Sequence, residues 1–160
     1  MRRAHSASKE TGMHKETHYN SQKLAQNKVI YMAKIDEDPV PSGELALQTL
    51  AMPKDTNSNG DVFGGWLMAQ MDLAGAIIAR EVAKGRVTTV AVGSMAFLRP
   101  VPVGATVSCY CDILEIGRSS IKARVEVWVK HYDRSQQKVT EGEFVYVAID
   151  DTGRTRPVNK

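Results

Sequence analysis

One stretch constrains this chain more than any other. From Gly64–Gly65 to about Lys84 the sequence reads as a helix, and Trp66, Leu67, Met68, Met71, Leu73, Ile77, Ile78 and Val82 fall on every side of it. A helix that is apolar all round must be covered all round. Ala69, Ala74, Gly75, Ala76 and Ala79 are small, which lets covering strands approach closely. Gly85 stands where a C′ glycine would close the helix, after Arg80 and Lys84 near its C-terminal end. The apolar run Trp66 to Ala79 is broken by Gln70 and Asp72 and is shorter than the ~20 residues a bilayer span needs. It therefore reads as a buried helix and not as a membrane span.

Strands on both sides can supply the cover. Glu44 to Met52 alternates through Leu45 and Leu47, and Pro53 ends it. After the helix, Arg86 to Phe97 is rich in β-branched residues. Ala105 to Ile116 places Val107, Cys109, Cys111 and Ile113 on one face and Thr106, Ser108, Tyr110 and Asp112 on the other. Ile121 to Lys130 points Ile121, Ala123, Val125, Val127 and Val129 inward and Lys122, Arg124, Glu126, Trp128 and Lys130 outward, and Thr140 to Asp150 completes the set. Gly117-Arg118 suits a hairpin, with glycine taking the positive φ such turns use. A strand, a long buried helix and four antiparallel strands make an α+β arrangement, with a single helix packed on one antiparallel sheet.

Composition agrees with a single folded domain. The 160 residues are 42% apolar and 24% charged, and a core of that size is stable without staples. The net charge of +3 is unevenly placed, because residues 1–35 carry +5 and the remainder −2. A basic tail on a slightly acidic body gives no reason to expect nucleic-acid binding. Residues 1–40 are polar, without helical or strand period, and read as a disordered or weakly structured extension before a domain at 41–160, with Pro39 and Pro41 at the boundary. Met32 opens a stretch that would make a natural start, so residues 1–31 read as an upstream extension. Glu10 and Glu16 argue against an organelle-targeting segment, and no apolar signal core precedes residue 28.

Cys109 and Cys111, two apart on one strand, are poorly placed for a disulfide and have no Cys/His cluster beside them. They read as small apolar core residues in a protein of the reducing cytoplasm. No metal site is expected.

Chemistry concentrates in Asn57-Ser58-Asn59-Gly60-Asp61-Val62-Phe63-Gly64-Gly65-Trp66, a polar, glycine-rich segment that delivers the chain into the helix. Free N–H groups at a helix start favour negative charge and can stabilise a developing oxyanion. Gly64 and Gly65 would let a substrate approach the backbone, and Asp61 places a carboxylate nearby. Spacing alone favours the plainer reading, in which Asp61 is a cap or turn residue and the glycines form a tight bend. Asp72, inside the helix, reads as a buried carboxylate with a partner or as a second interface group. His5, His14 and His18 lie in the tail and His131 ends a strand, so no Ser-His-Asp arrangement is suggested.

The run from Leu50-Ala51-Met52-Pro53 through Asp55-Thr56-Asn57-Ser58-Asn59-Gly60-Asp61-Val62-Phe63-Gly64-Gly65-Trp66 resembles the small bacterial acyl-CoA thioesterases of the hot-dog superfamily, YciA type. The likeness continues through Gln70-Met71-Asp72, Gly85-Arg86-Val87, Phe97-Leu98-Arg99-Pro100, Gly117-Arg118-Ser119-Ser120 and Val125-Glu126-Val127-Trp128-Val129-Lys130, and spans roughly residues 43–157. The resemblance implies a five-stranded antiparallel sheet wrapped around one long central helix. It also implies a homodimer as the minimal active unit, often assembled further into a hexamer as a trimer of dimers. Asp61 would then act as general base or nucleophile on the thioester, Gly64 and Gly65 would supply the oxyanion site from across the interface, and Asn59 would help place water or substrate.

A thioester has a good leaving group, so no cofactor is called for, and coenzyme A enters as part of the substrate. Its phosphates suggest Arg99, Arg118, Lys122 and Lys130 as contacts, with Ser94, Ser119 and Ser120 as hydrogen-bond donors. Each reads equally as a solvated strand-face or turn residue. Gly93 and Ala96 stand where the family often carries an acidic and a polar residue. Two other functions compete: a hot-dog dehydratase or hydratase, for which the required histidine is absent beside Asp61, and a non-catalytic acyl-CoA-binding regulator.

Overall fold

The computed structural model describes residues 40–97, 99–132 and 135–158. The reading of residues 1–31, and that of 1–40 up to residue 39, lie outside these. In chain order the elements are β1 (Glu44–Leu50), a 3-10 turn (Pro53–Asp55), α1 (Gly64–Ala83), β2 (Val87–Val92), β3 (Thr106–Ile116), β4 (Ser120–Lys130) and β5 (Gln136–Ala148). The strands form one antiparallel sheet in the order β1-β3-β4-β5-β2, which leaves β1 and β2 as its edges. Helix α1 lies against all five strands. Register shifts near Ala46, Val90, Leu114 and Val127 interrupt each ladder. Such irregularities bend and twist strands, and so let a sheet curl around a helix.

The core follows the alternation read from the sequence. Leu67, Met71, Ala74, Gly75, Ala79 and Ala83 are the buried face of α1. They meet Val107, Cys109 and Cys111 of β3, Ile121, Ala123, Val125, Val127 and Val129 of β4, and Phe144, Tyr146 and Ala148 of β5. Burying each large apolar side chain contributes about 1.5–3 kcal/mol. The Phe144 and Tyr146 rings stack with centroids 6.3 Å apart. Burial pushes both thiols, Cys109 and Cys111, up to about 12, which agrees with their reading as core residues.

Several expectations are corrected. The helix is not covered all round, because Leu73 is 54% and Ile77 40% exposed. One sheet covers one side of a helix, and the rest of the apolar surface faces outward from the single chain. Glu126 and Trp128 do lie on the outer face of the sheet, as read, but they are buried there. The Trp128 indole donates to Glu126 (2.8 Å), and Lys138 bridges Glu126 (3.0 Å) and Glu141 (2.8 Å). The helix closes on Lys84 in the left-handed region (φ 49°), one residue before Gly85. Gly85 serves close approach instead, since a Cβ there would lie 2.5 Å from the Arg156 guanidinium. Gly117 does not have the positive φ expected of it, and a Cβ at that position would meet Ser120 Oγ at 2.5 Å. Strand β1 stops at Leu50 and β2 at Val92, short of Met52 and Phe97, while β5 starts earlier, at Gln136.

Candidate active site

The loop before α1 is organised by Asn57. Its Oδ1 accepts from the N–H of Asn59 (2.8 Å) and of Asp61 (3.2 Å), and its own N–H donates to the Asp61 carbonyl (2.7 Å). An asparagine accepting from amides two and four residues on folds a loop around itself, and Gly60, at φ +84°, completes the reversal. The loop is anchored to the chain entering β3 by the Val62 N–H on the Val101 carbonyl (2.9 Å) and by bridge pairing of Asp61 with Pro102.

This anchoring presents the start of α1. Phe63 is the N-cap residue and no side chain caps the helix. The amides of Trp66 and Leu67 turn back to the Phe63 carbonyl, which leaves those of Gly64 and Gly65 as the open donors of this end. Neither glycine has a positive φ. A Cβ at Gly65 would meet nothing within 4 Å, and one at Gly64 would make only ordinary contact with the Phe97 ring at 3.5 Å. Neither backbone conformation nor packing within the chain therefore requires a glycine here.

Asp61, Asn57, Gly64, Leu67, Phe97 and Arg99 line one cleft of about 290 Å³. The structure thus brings together Asp61, Gly64 and Arg99 of the residues named from sequence, with Gly65 adjoining. The Asp61 carboxylate has no hydrogen-bond or ion-pair partner among the described residues. Arg99 spans the cleft wall and donates to the Lys138 carbonyl (2.8 Å). Asn59 is exposed, and its backbone N–H, not its side chain, is what Asn57 holds.

The other named residues lie elsewhere. The Arg118 and Ser119 carbonyls accept from Val158 and Ala148, while Arg156 beside them donates to the Ala83 carbonyl at the end of α1 (2.9 Å). Arg118, Ser119 and Ser120 therefore sit a helix length, about 30 Å, from Gly64. Lys122 pairs with Glu143 (2.7 Å), which raises its pKa above the ordinary lysine value. Lys130, at the opposite end of β4, lines a separate hollow with Pro102, Gly104 and Tyr132. Ser94 is exposed in the irregular stretch after β2. These groups cannot converge on one ligand within one chain.

A second carboxylate was read from sequence only as a structural or interface group. The Thr89 hydroxyl on edge strand β2 donates to Asp72 Oδ1 (2.6 Å), and the Tyr146 hydroxyl donates to the Asp72 main-chain carbonyl (3.1 Å). Asp72 lies eight residues into α1, about 12 Å along the axis from Gly64. Among the described residues, no group of three or more His, Cys, Asp or Glu could hold a metal ion, and no helix is long and apolar enough to cross a membrane.

Comparison with known proteins agrees with this architecture. The pattern of the thioesterase superfamily matches residues 59–133. The acyl-CoA thioester hydrolase YciA of Salmonella typhimurium is 54% identical over 125 residues, which cover 76% of this chain and 94% of that one. A hexameric thioesterase of Yersinia pestis superposes with a TM-score of 0.73 at 55% identity, covering 76% of this chain and 99% of that one. An acyl-CoA hydrolase of Staphylococcus aureus, solved with butyryl coenzyme A and coenzyme A, superposes with a TM-score of 0.66 at 28% identity, covering 70% of this chain and 69% of that one. The Staphylococcus enzyme was also solved as an aspartate-to-alanine mutant and as an asparagine-to-alanine mutant, at positions 15 residues apart. From this identity over most of both chains, the protein belongs to the YciA-type acyl-CoA thioester hydrolases of the thioesterase superfamily.

Proposed function

We propose that this protein hydrolyses acyl-CoA thioesters to coenzyme A and a carboxylic acid, at sites shared between two subunits. The observation that carries the reading is the uncapped start of α1, where two glycines stand that neither φ nor packing demands. Their absent side chains leave two amides open to a thioester carbonyl, whose oxygen gains charge in the transition state.

The reacting carboxylate in this reading is Asp72. The two positions mutated in the Staphylococcus hydrolase lie 15 residues apart, and Asn57 and Asp72 are the one Asn–Asp pair at that spacing in this sequence. At about 12 Å along one helix, Asp72 is too far from its own Gly64 for both to act on one carbonyl. Asp72 lies instead beside open edge strand β2, so a second copy docked at that edge supplies the missing half. In each site Asp72 of one subunit activates water, and the Gly64–Gly65 amides and Asn57 loop of the other hold the carbonyl. The thiolate leaves without any cofactor.

A second reading keeps Asp61 as base or nucleophile, favoured by its place in the same cleft as Gly64. Asp61→Asn and Asp72→Asn, each assayed for thiol release from butyryl-CoA, separate the two, since a reacting carboxylate is worth at least ~100-fold in kcat. Arg99 and Lys130 on the Asp61 side of one subunit, with Arg118, Ser119, Ser120, Lys122 and Ser94 of its neighbour, are the proposed coenzyme A contacts. Asn59 lies at the cleft mouth. A hexamer in the cytoplasm, like the Yersinia thioesterase in its subunit number, is the proposed assembly, with residues 1–40 as an extension outside the hot-dog domain of 41–160.

A further inference from the structure

We infer that the buried hydroxyl of Tyr146 is a positioning group for Asp72, an inference that rests on the reading of Asp72 as the reacting carboxylate. Tyr146 is fully buried on β5, and its hydroxyl donates to the main-chain carbonyl of Asp72 at 3.1 Å. That carbonyl already serves the helix ladder, so the phenol adds a second bond at the turn from which the carboxylate projects. From the other side, Thr89 on β2 holds the carboxylate itself at 2.6 Å. Asp72 is gripped at its main chain from β5 and at its side chain from β2.

The helix is shaped to admit this hydroxyl. A Cβ at Gly75 would lie 2.2 Å from the Tyr146 oxygen and 2.9 Å from the ring carbon that bears it. Glycine inside a helix costs about 1 kcal/mol relative to alanine, and here it opens room for one O–H group. Phenylalanine would fill nearly the same volume as tyrosine, so packing alone does not call for the oxygen.

The phenol remains a donor over the whole working range. Burial first, and then the charge of Asp72, hold its pKa well above the ordinary tyrosine value. The other titratable group acting on it is Cys111 of β3, a thiol raised to about 12 and therefore protonated. A neutral O–H keeps donating to the Asp72 carbonyl and so fixes the helix turn that carries the carboxylate. Removing it loosens that turn and the aim of the carboxylate.

The test is Tyr146→Phe in the full-length protein, with kcat and KM for butyryl-CoA measured beside Asp72→Asn. Loss of one hydrogen bond to a charged or polarised partner predicts a roughly ten-fold fall in kcat with KM held within about two-fold. The melting temperature should change little. If Asp72→Asn is inactive while Tyr146→Phe matches the parent in kcat, the role of Tyr146 is overturned and the reading of Asp72 stands. If Asp72→Asn turns over normally, the reading itself fails.

Discussion

The Thr89 hydroxyl donates a 2.6 Å hydrogen bond to Asp72 Oδ1 and so ties the middle of α1 to edge strand β2 across 17 positions of sequence. An edge strand is where a second chain can pair. A carboxylate fixed beside that edge is fixed relative to whatever docks there. Thr89→Val keeps the branched shape and removes the donor. A hydrogen bond to a charged group contributes about 1.5–3 kcal/mol, so kcat should fall about ten-fold or more, with subunit assembly unchanged by light scattering.

Asn57→Ala removes the acceptor shared by the N–H groups of Asn59 and Asp61. Two loop amides then lose their partner, while the Val62 N–H still ties the loop to the Val101 carbonyl. The expected result is a loss of about 1–2 kcal/mol in stability by urea denaturation, with kcat falling by much more than that loss of folded protein explains. Asn57→Asp, which keeps the acceptor, should restore the stability.

These two bonds also show what was legible in the sequence. The inward set of β4 and the buried face of α1 follow from period two and period 3.6, which act between neighbours in sequence. The Asp72–Thr89 and Asp72–Tyr146 pairs join residues from separate elements, and no local period announces them. Asn57 carried a local signal, an asparagine followed two and four residues later by the amides it holds, but the resemblance singled out Asn59 in the same run instead. Glu126 and Trp128 were placed on the correct face, but alternation tells the two faces apart without telling that the outer one is covered at these positions. The open side of α1 was misjudged because a helix apolar all round needs cover without that cover having to come from its own chain.

On the outer face of the sheet, Lys138 bonds both Glu126 and Glu141 with its ammonium group almost wholly buried. Removing one partner of a buried pair costs about 3–5 kcal/mol, whereas replacing the group by apolar residues is far milder. Lys138→Met alone should lower stability by that amount in urea denaturation. Adding Glu126→Gln to it should recover part of the loss. The main-chain carbonyl of residue 138 that holds Arg99 stays in the single variant, so KM for butyryl-CoA should change little.

Two glycines next to side-chain tips should behave differently. Gly75→Ala drives a Cβ into the Tyr146 phenol, which is buried on all sides, and should destabilise by about 1–3 kcal/mol despite alanine's better helix propensity. Gly85→Ala meets the Arg156 guanidinium at 2.5 Å, the far end of a flexible side chain. Its cost should be smaller, limited to weakened bonds from Arg156 to the Ala83 and Ile149 carbonyls. Paired thermal melts check the order.

Burial raises Cys109 and Cys111 to about 12 from a free value of 9.0. A raised folded pKa gives stability that is fully present below the unfolded value and is lost as pH rises through the folded one. Stability should therefore decline between about pH 9 and 12. At pH 8 the native thiols should resist a disulfide reagent that labels both on unfolding. Rapid native labelling would place them outside the core.

The central claim is that a carboxylate from one subunit and a helix end from another form each site. The direct measurement mixes two inactive variants, Asp72→Asn and Asn57→Ala, by joint unfolding and refolding, and follows thiol release from butyryl-CoA. Random pairing leaves about a quarter of the sites with both groups intact, so activity should return to about a quarter of the wild-type value. If the mixture stays as inactive as its parts while wild-type protein refolds with full activity, each site lies within a single chain and the shared-site account is contradicted.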